Sequence, residues 1–218
     1  MSILRRVLAE GVFGPLKNAL SPTRRKVNAL LNSEGGKKNV LHVGCGAFHP
    51  NKLPQDEFPA EEWQEIRVDI DPAVHPDVVA SITAMPMIPD ASCDGVFSSH
   101  NLEHLEGHEV ARALAEFRRV LKPQGKLLIL VPDMQTVAER VAEDRLEEIA
   151  YVSAAGPIRP HDMMYGLGSA LAQGNRFMAH RCGFTATTLQ QKLVAAGFSR
   201  VEVQRNIPRF ELRASARR

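Results

Sequence analysis

The stretch at residues 40–48, VLHVGCGAF, constrains this chain more than any other. Val40, Leu41 and Val43 are β-formers of the kind that fill a strand buried on both faces. Gly44 and Gly46 follow at once, so the backbone turns where no side chain can stand in a ligand's way. An open α/β sheet makes room for a nucleotide in this manner, at the carboxyl end of its first strand. The spacing argues against a nicotinamide cofactor: a dinucleotide fingerprint needs a third glycine at the sixth position, and His49 stands there. A GxG after a strand also serves as a plain tight turn, so a second feature has to agree with it.

That feature is IRVDIDP. Residues 66–69 read as a second strand ending in Asp69, 23 residues beyond Gly46. At that spacing an acidic residue can accept hydrogen bonds from both hydroxyls of a ribose. Further strands are predicted at residues 77–82, 93–99 and 126–131, with a short helix at 59–64 and helical segments from Leu102, over 109–121 and over 188–196. Val110, Leu114, Phe117 and Leu121 recur at helical spacing, and Pro123-Gln124-Gly125 stops the run. Strands alternating with helices imply an α/β, Rossmann-like, doubly wound and mostly parallel sheet with helices on both faces.

Charge is placed unevenly although the net value is +2. Residues 1–38 carry eight Lys and Arg against two acids, and residues 200–218 carry six against two. Residues 1–36 read as a basic helical arm in pieces broken at Gly14-Pro15 and Ser21-Pro22, with Leu4, Val7, Leu8, Val12 and Phe13 as an apolar stripe for packing or self-association. Its charge could meet nucleic acid or simply be solvated. Residues 37–218 form the main domain, with a lid-like insertion at about 134–185. Cys45, Cys93 and Cys182 form no close pair, which points to a reducing, cytoplasmic setting without a disulfide framework or a CxxC metal site. No apolar run approaches the roughly 18 residues of a membrane span.

In this order and spacing, VLHVGCG, RVDIDP, AMPMIPDASCDGVFSSHNLEHL and EFRRVLKPQGKLLILVPD resemble a class I S-adenosylmethionine-dependent methyltransferase over residues 38–205. The resemblance implies a seven-stranded sheet whose last strand is antiparallel, formed from residues 201–204 and 210–213. It implies S-adenosylmethionine as cofactor, with Gly44, Cys45 and Gly46 around the methionine part, Asp69 on the ribose and Ile70 beside the adenine. Ser81 stands where an acidic residue often receives the adenine amino group, so its hydroxyl or the Ile82 backbone would have to serve. Ser99 and His100 would border the methyl donor. Residues 156–184 look like the long insertion of a bacterial subgroup of such methyltransferases.

That segment concentrates His161, Asp162, Tyr165, Arg176, His180 and Arg181 among glycines, the make-up of a lid over the reacting methyl. His100, His161 and His180 are the candidate bases, Tyr165 would orient the acceptor, and Asp133 could fix a histidine. His100-Asn101-Leu102-Glu103-His104 also has the HxxEH spacing of an inverted zinc-protease motif. Its position after a fourth strand, where the resembling methyltransferases carry LEH, argues instead for site lining, and no metal is expected. FSSHN replaces the NPPY-like tetrapeptide associated with planar amino groups, which favours transfer to oxygen or an aliphatic amine. The expected acceptor is a small molecule or a glycan; an RNA or protein substrate, or an inactive binding scaffold, are the alternatives.

Overall fold

The computed structural model describes residues 22–32 and 35–218. The proposed apolar stripe at residues 4–13 therefore lies outside the described residues. Helix α1 (Pro22–Leu31) is built into the domain: Val27 is buried in the main core, and the Asn39 and Gln64 side chains donate to the last carbonyls of the helix at Leu31 and Leu30.

Seven strands form one sheet in the order β3-β2-β1-β4-β5-β9-β8. They are β1 (Lys38–Val43), β2 (Trp63–Asp69), β3 (Val78–Val79), β4 (Cys93–Ser99), β5 (Leu121–Pro132), β8 (Ser199–Asn206) and β9 (Glu211–Arg217). Pairing is parallel from β3 to β5, and β9 runs antiparallel to both its neighbours. The carboxyl ends of β1, β2, β4 and β5 thus share one edge, where an open α/β sheet binds ligands.

The central strands alternate as a pleat demands. Leu41, Val43, Val96, Leu127 and Ile129 face the main core, which receives α2 (Val110–Val120) and α6 (Ala186–Ala195). Val110, Leu114, Phe117 and Val120 of α2 are fully or nearly fully buried there, each such side chain contributing roughly 1.5–3 kcal/mol. Val40, Phe97 and Leu128 face the other way, onto Leu53 and Phe58 of the connection after the glycine turn and onto Trp63 at the start of β2. The helix expected at residues 59–64 is a turn closed by backbone bonds from Glu62 and Trp63 to the Pro59 carbonyl, because Trp63 already belongs to β2. The helix expected from Leu102 is a single 3-10 turn, Leu102–His104.

Residues 134–185 fold into defined elements despite their glycines. Helix α3 (Met134–Ala142) precedes a small hairpin, β6 (Tyr151–Ser153) and β7 (Gly156–Ile158), and then α4 (Pro160–Tyr165) and α5 (Gly168–Ala172). Asp133 caps α3 by accepting from the Gln135 amide and takes Arg205 Nε at 2.6 Å, so it fixes an arginine of β8 and not a histidine. Among the described residues no helix is long and apolar enough to cross a membrane.

Candidate functional site

The glycine turn leaves β1 with Gly44 at φ 63° and Gly46 at φ 58°, both in the left-handed region that other residues resist. A Cβ on Gly44 would lie 2.3 Å from the Asn101 side chain, so a glycine is required there by contact as well as by conformation. Three side chains clip the turn. Asp69 accepts from the Gly46 amide at 2.8 Å, Arg67 donates to the Gly46 carbonyl at 2.5 Å, and Lys52 donates to the carbonyls of Cys45 and Ala47.

This turn forms one wall of a cavity of about 620 Å³, well within the range of cofactor pockets. Gly44, Gly46, Asp69, Ile70, Ser81 and Ile82 all line it, as do Lys52 and Asn101. Asp69 ends β2 at 9% exposure, its second oxygen accepting from the Asp71 amide; a carboxylate has lone pairs left for two more donors. Asn101 Nδ2 is buried in the wall without a partner. These groups fit an adenosine and an amino-acid moiety: acceptors for the ribose, an orphan donor, and bare backbone at the glycines. Cys45 follows its backbone into the turn but turns its side chain into the core, where burial pushes the thiol up to about 11. It therefore contributes backbone and no nucleophile. Ser99 is absent from the cavity wall, being held in the sheet opposite Leu130.

A second cavity of about 220 Å³ adjoins the first. His100, His104 and Met178 line both. Its remaining walls come from the turn after β4, through Glu103; from the hairpin, through Tyr151, Ser153 and Ile158; from the insertion, through Asp162, Met163, Leu167 and His180; and from Phe210 before β9. Tyr151 stacks on Phe210 at 6.2 Å, and burial raises its pKa, so the hydroxyl stays protonated and able to donate.

The polar corner of this cavity has an unusual electrostatic arrangement. Glu103 is 1% exposed and neither carboxylate oxygen has a hydrogen-bond partner. Burial alone would raise its pKa, but the approach of His100, with His104 and His180 around it, outweighs that and lowers it. His100 lies 3.5 Å from Glu103 and 3.2 Å from Glu211. Burial opposes its charge, yet the two carboxylates win and push the imidazole up to about 10, so His100 is a cation near neutrality and unsuited to be a base. His180, by contrast, is shifted down, chiefly by burial.

Of the other predicted residues, His161 and Tyr165 are not brought to either cavity. Their rings meet each other at 5.1 Å on the outer side of α4, and Tyr165 is 54% exposed. The expectation that both share a pocket with Gly44 and Asp69 is thus corrected, since helical spacing turns them away while Asp162 and Met163 face inward. His180 lines the smaller cavity but not the one that holds Gly44 and Asp69, and its backbone amide donates to the Tyr165 carbonyl. The HxxEH spacing had singled out Glu103 and His104, but no local pattern announced Lys52, Asn101, Met178 or Tyr151.

Strand order, glycine turn and acidic β2 end together define the class I methyltransferase fold. Residues 41–129 match the family model described as a methyltransferase domain. Similar solved structures include a methyltransferase from Archaeoglobus fulgidus, 18% identical, covering 89% of this chain and 90% of that one with a TM-score of 0.55. One from Methanosarcina mazei is 16% identical over 86% of this chain and 95% of its own, with a TM-score of 0.54. The Burkholderia thailandensis 1,6-didemethyltoxoflavin N1-methyltransferase, solved with 1,6-didemethyltoxoflavin and S-adenosylhomocysteine, is 19% identical over 92% and 79%, with a TM-score of 0.51. Among curated proteins none matches. Residues 41–129 thus carry a methyltransferase domain, and the chain has the fold of the class I S-adenosylmethionine-dependent methyltransferases, for which S-adenosylmethionine is the cofactor.

Proposed function

We propose that the enzyme methylates a small molecule or a sugar held in the second cavity, at an oxygen or an aliphatic amine. The observation that carries this reading is the shared wall: His100, His104 and Met178 border both cavities, so a group in the smaller one lies next to the cofactor's reacting end. Its volume of about 220 Å³ suits a small acceptor or one sugar unit. When bound, S-adenosylmethionine supplies an electrophilic methyl on a sulfonium. The protein's own part is to align the acceptor for in-line displacement and to exclude water.

Each wall has a task under this reading. Met163, Leu167, Ile158 and Phe210 hold the apolar body of the acceptor. Tyr151 donates a hydrogen bond to it. The acceptor's nucleophile points to the corner of Glu103, His104 and His180, whose lone pairs receive a proton or hold a ligand. Asp69, Gly46 and Asn101 hold the cofactor from the other side.

The reading is tested by incubating the enzyme with methyl-labelled S-adenosylmethionine and separate panels of alcohols, phenols, aliphatic amines, sugars, RNA and protein. Label in an alcohol, amine or sugar supports it. Label only in RNA or protein overturns it, and failure to bind S-adenosylmethionine at all would make the chain a scaffold.

A further inference from the structure

Two histidines and one carboxylate meet at the corner of the smaller cavity. Glu103, His104 and His180 place one ligand atom each within 4.8 Å of one another. The tautomers of both rings are set by backbone. His104 Nδ1 lies 3.1 Å from the Ala179 carbonyl and His180 Nδ1 lies 2.8 Å from the Met163 carbonyl. A carbonyl only accepts, so each Nδ1 carries the hydrogen and each Nε2 keeps its lone pair. An Nδ1–H on a backbone carbonyl is the support that metal-ligating histidines ordinarily have.

The carboxylate supplies the independent observation. Glu103 is 1% exposed and both its oxygens lack a hydrogen-bond partner, an arrangement that costs heavily unless a cation completes it. The His100 cation stands 3.5 Å from one Glu103 oxygen and 3.2 Å from Glu211, so it shares its charge between two carboxylates and leaves the second Glu103 oxygen without a partner. The protein also fixes the corner on itself: the backbone amides of Arg181 and Cys182 both donate to the Glu103 carbonyl, tying the His180 segment to the 3-10 turn that carries Glu103 and His104.

We propose that Glu103, His104 and His180 bind a divalent first-row transition metal, with zinc the best fit to two imidazoles and one carboxylate, and with its remaining position open to the acceptor cavity. Magnesium and calcium, which prefer oxygen donors, fit poorly. Around an ion with bonds of about 2.0–2.2 Å the three donor atoms would stand about 3.4 Å apart, so binding draws the corner inward by about an ångström. Glu103 and His180 line only the smaller cavity, which puts the ion on the acceptor's side of the shared wall. A water or an acceptor oxygen completes the coordination. The metal site stands without the acceptor's identity; only that last ligand rests on the function proposed above.

The full chain, stripped with chelator and dialysed against zinc, is analysed for metal content, and cobalt is substituted to read geometry from its visible absorption. The expected result is one equivalent of zinc, intense four-coordinate cobalt bands, and no retention of magnesium. Glu103→Gln and His180→Ala should each lower zinc affinity at least tenfold while still binding S-adenosylmethionine, which shows that they fold. Zinc absent after dialysis, or retained equally by both variants, overturns the proposal. Loss of turnover in those variants without any metal in the parent also overturns it and makes the corner a proton-handling group. The metal-content, cobalt and affinity readings use no acceptor, so they fail or succeed separately from the assay of methyl transfer.

Discussion

The larger and the smaller cavity, proposed above as the cofactor and acceptor halves of the site, are built on opposite principles. Around Gly44, Gly46 and Asp69, short segments do the work and backbone is the working surface. The turn is clipped by Asp69, Arg67 and Lys52, none of them far along the chain, and its key requirement is that two positions carry no side chain. The smaller cavity is made by side chains that converge from the turn after β4, a hairpin, an insertion and the loop before β9. His104 and the Ala179 carbonyl that orients it are 75 residues apart. A half that depends on local geometry should break at single backbone positions. A half that depends on convergence should lose chemistry while its partner keeps binding.

The largest effect should come from Gly44→Val. The added side chain meets Asn101 and the residue is forced to a positive φ, together costing about 3 kcal/mol or more. Calorimetric titration with S-adenosylmethionine should show binding lost; binding near the parent's would break the backbone half of the comparison. Next is Arg205→Ala, which strips the buried Asp133 of its cation and should lower stability by about 2–3 kcal/mol in denaturant unfolding. An unchanged midpoint would mean that Asp133 is satisfied by Thr136 and the Gln135 amide alone.

His180→Ala should lower kcat by about 100-fold, the scale of a lost acid–base or ligand contact, and leave the dissociation constant of S-adenosylmethionine unaltered. A parallel fall in cofactor affinity would show that the two halves are one unit. Asp69→Ala should do the reverse. Losing two hydrogen bonds to a charged acceptor costs about 1.5–3 kcal/mol, or roughly 10- to 150-fold in cofactor affinity. The smallest change is expected for His161→Ala, which should alter turnover less than about twofold, as usual for a surface substitution. A large drop would return that face of α4 to the site.

How much of this was legible beforehand follows the same divide. The first strand and its turn could be read because buried parallel strands leave near-continuous apolar runs and because glycine at a left-handed position is a residue-level signature. Asp69 could be read because β2 must end at the same edge, which fixes its distance from Gly46. Helix α2 announced itself through Val110, Leu114 and Phe117, all of which are buried. The ends of elements were less legible: residues 59–64 gave way to a turn, and the helix expected from Leu102 to one 3-10 turn. There, pairing of β2 and the packing of Leu102 overrode local preference.

In the insertion, composition marked a segment rich in polar side chains but not which of them face inward. His161, Tyr165 and His180 are equivalent as residue types. The helical turn of α4 sends the first two outward, and the bonds from Arg181 and Cys182 to Glu103 bring the third in. Protonation was also decided in three dimensions. His100 is a cation because Glu103 and Glu211, the latter 111 residues away in sequence, both reach it. The sequence alone determined the mostly parallel α/β class and the glycine turn, since each rests on contacts between neighbours or on strands whose ends must align, and the resemblance of its motifs to a known family pointed to the cofactor. Which histidines meet a buried carboxylate is a property of distances between segments far apart in the chain, and only the packed tertiary structure sets those distances.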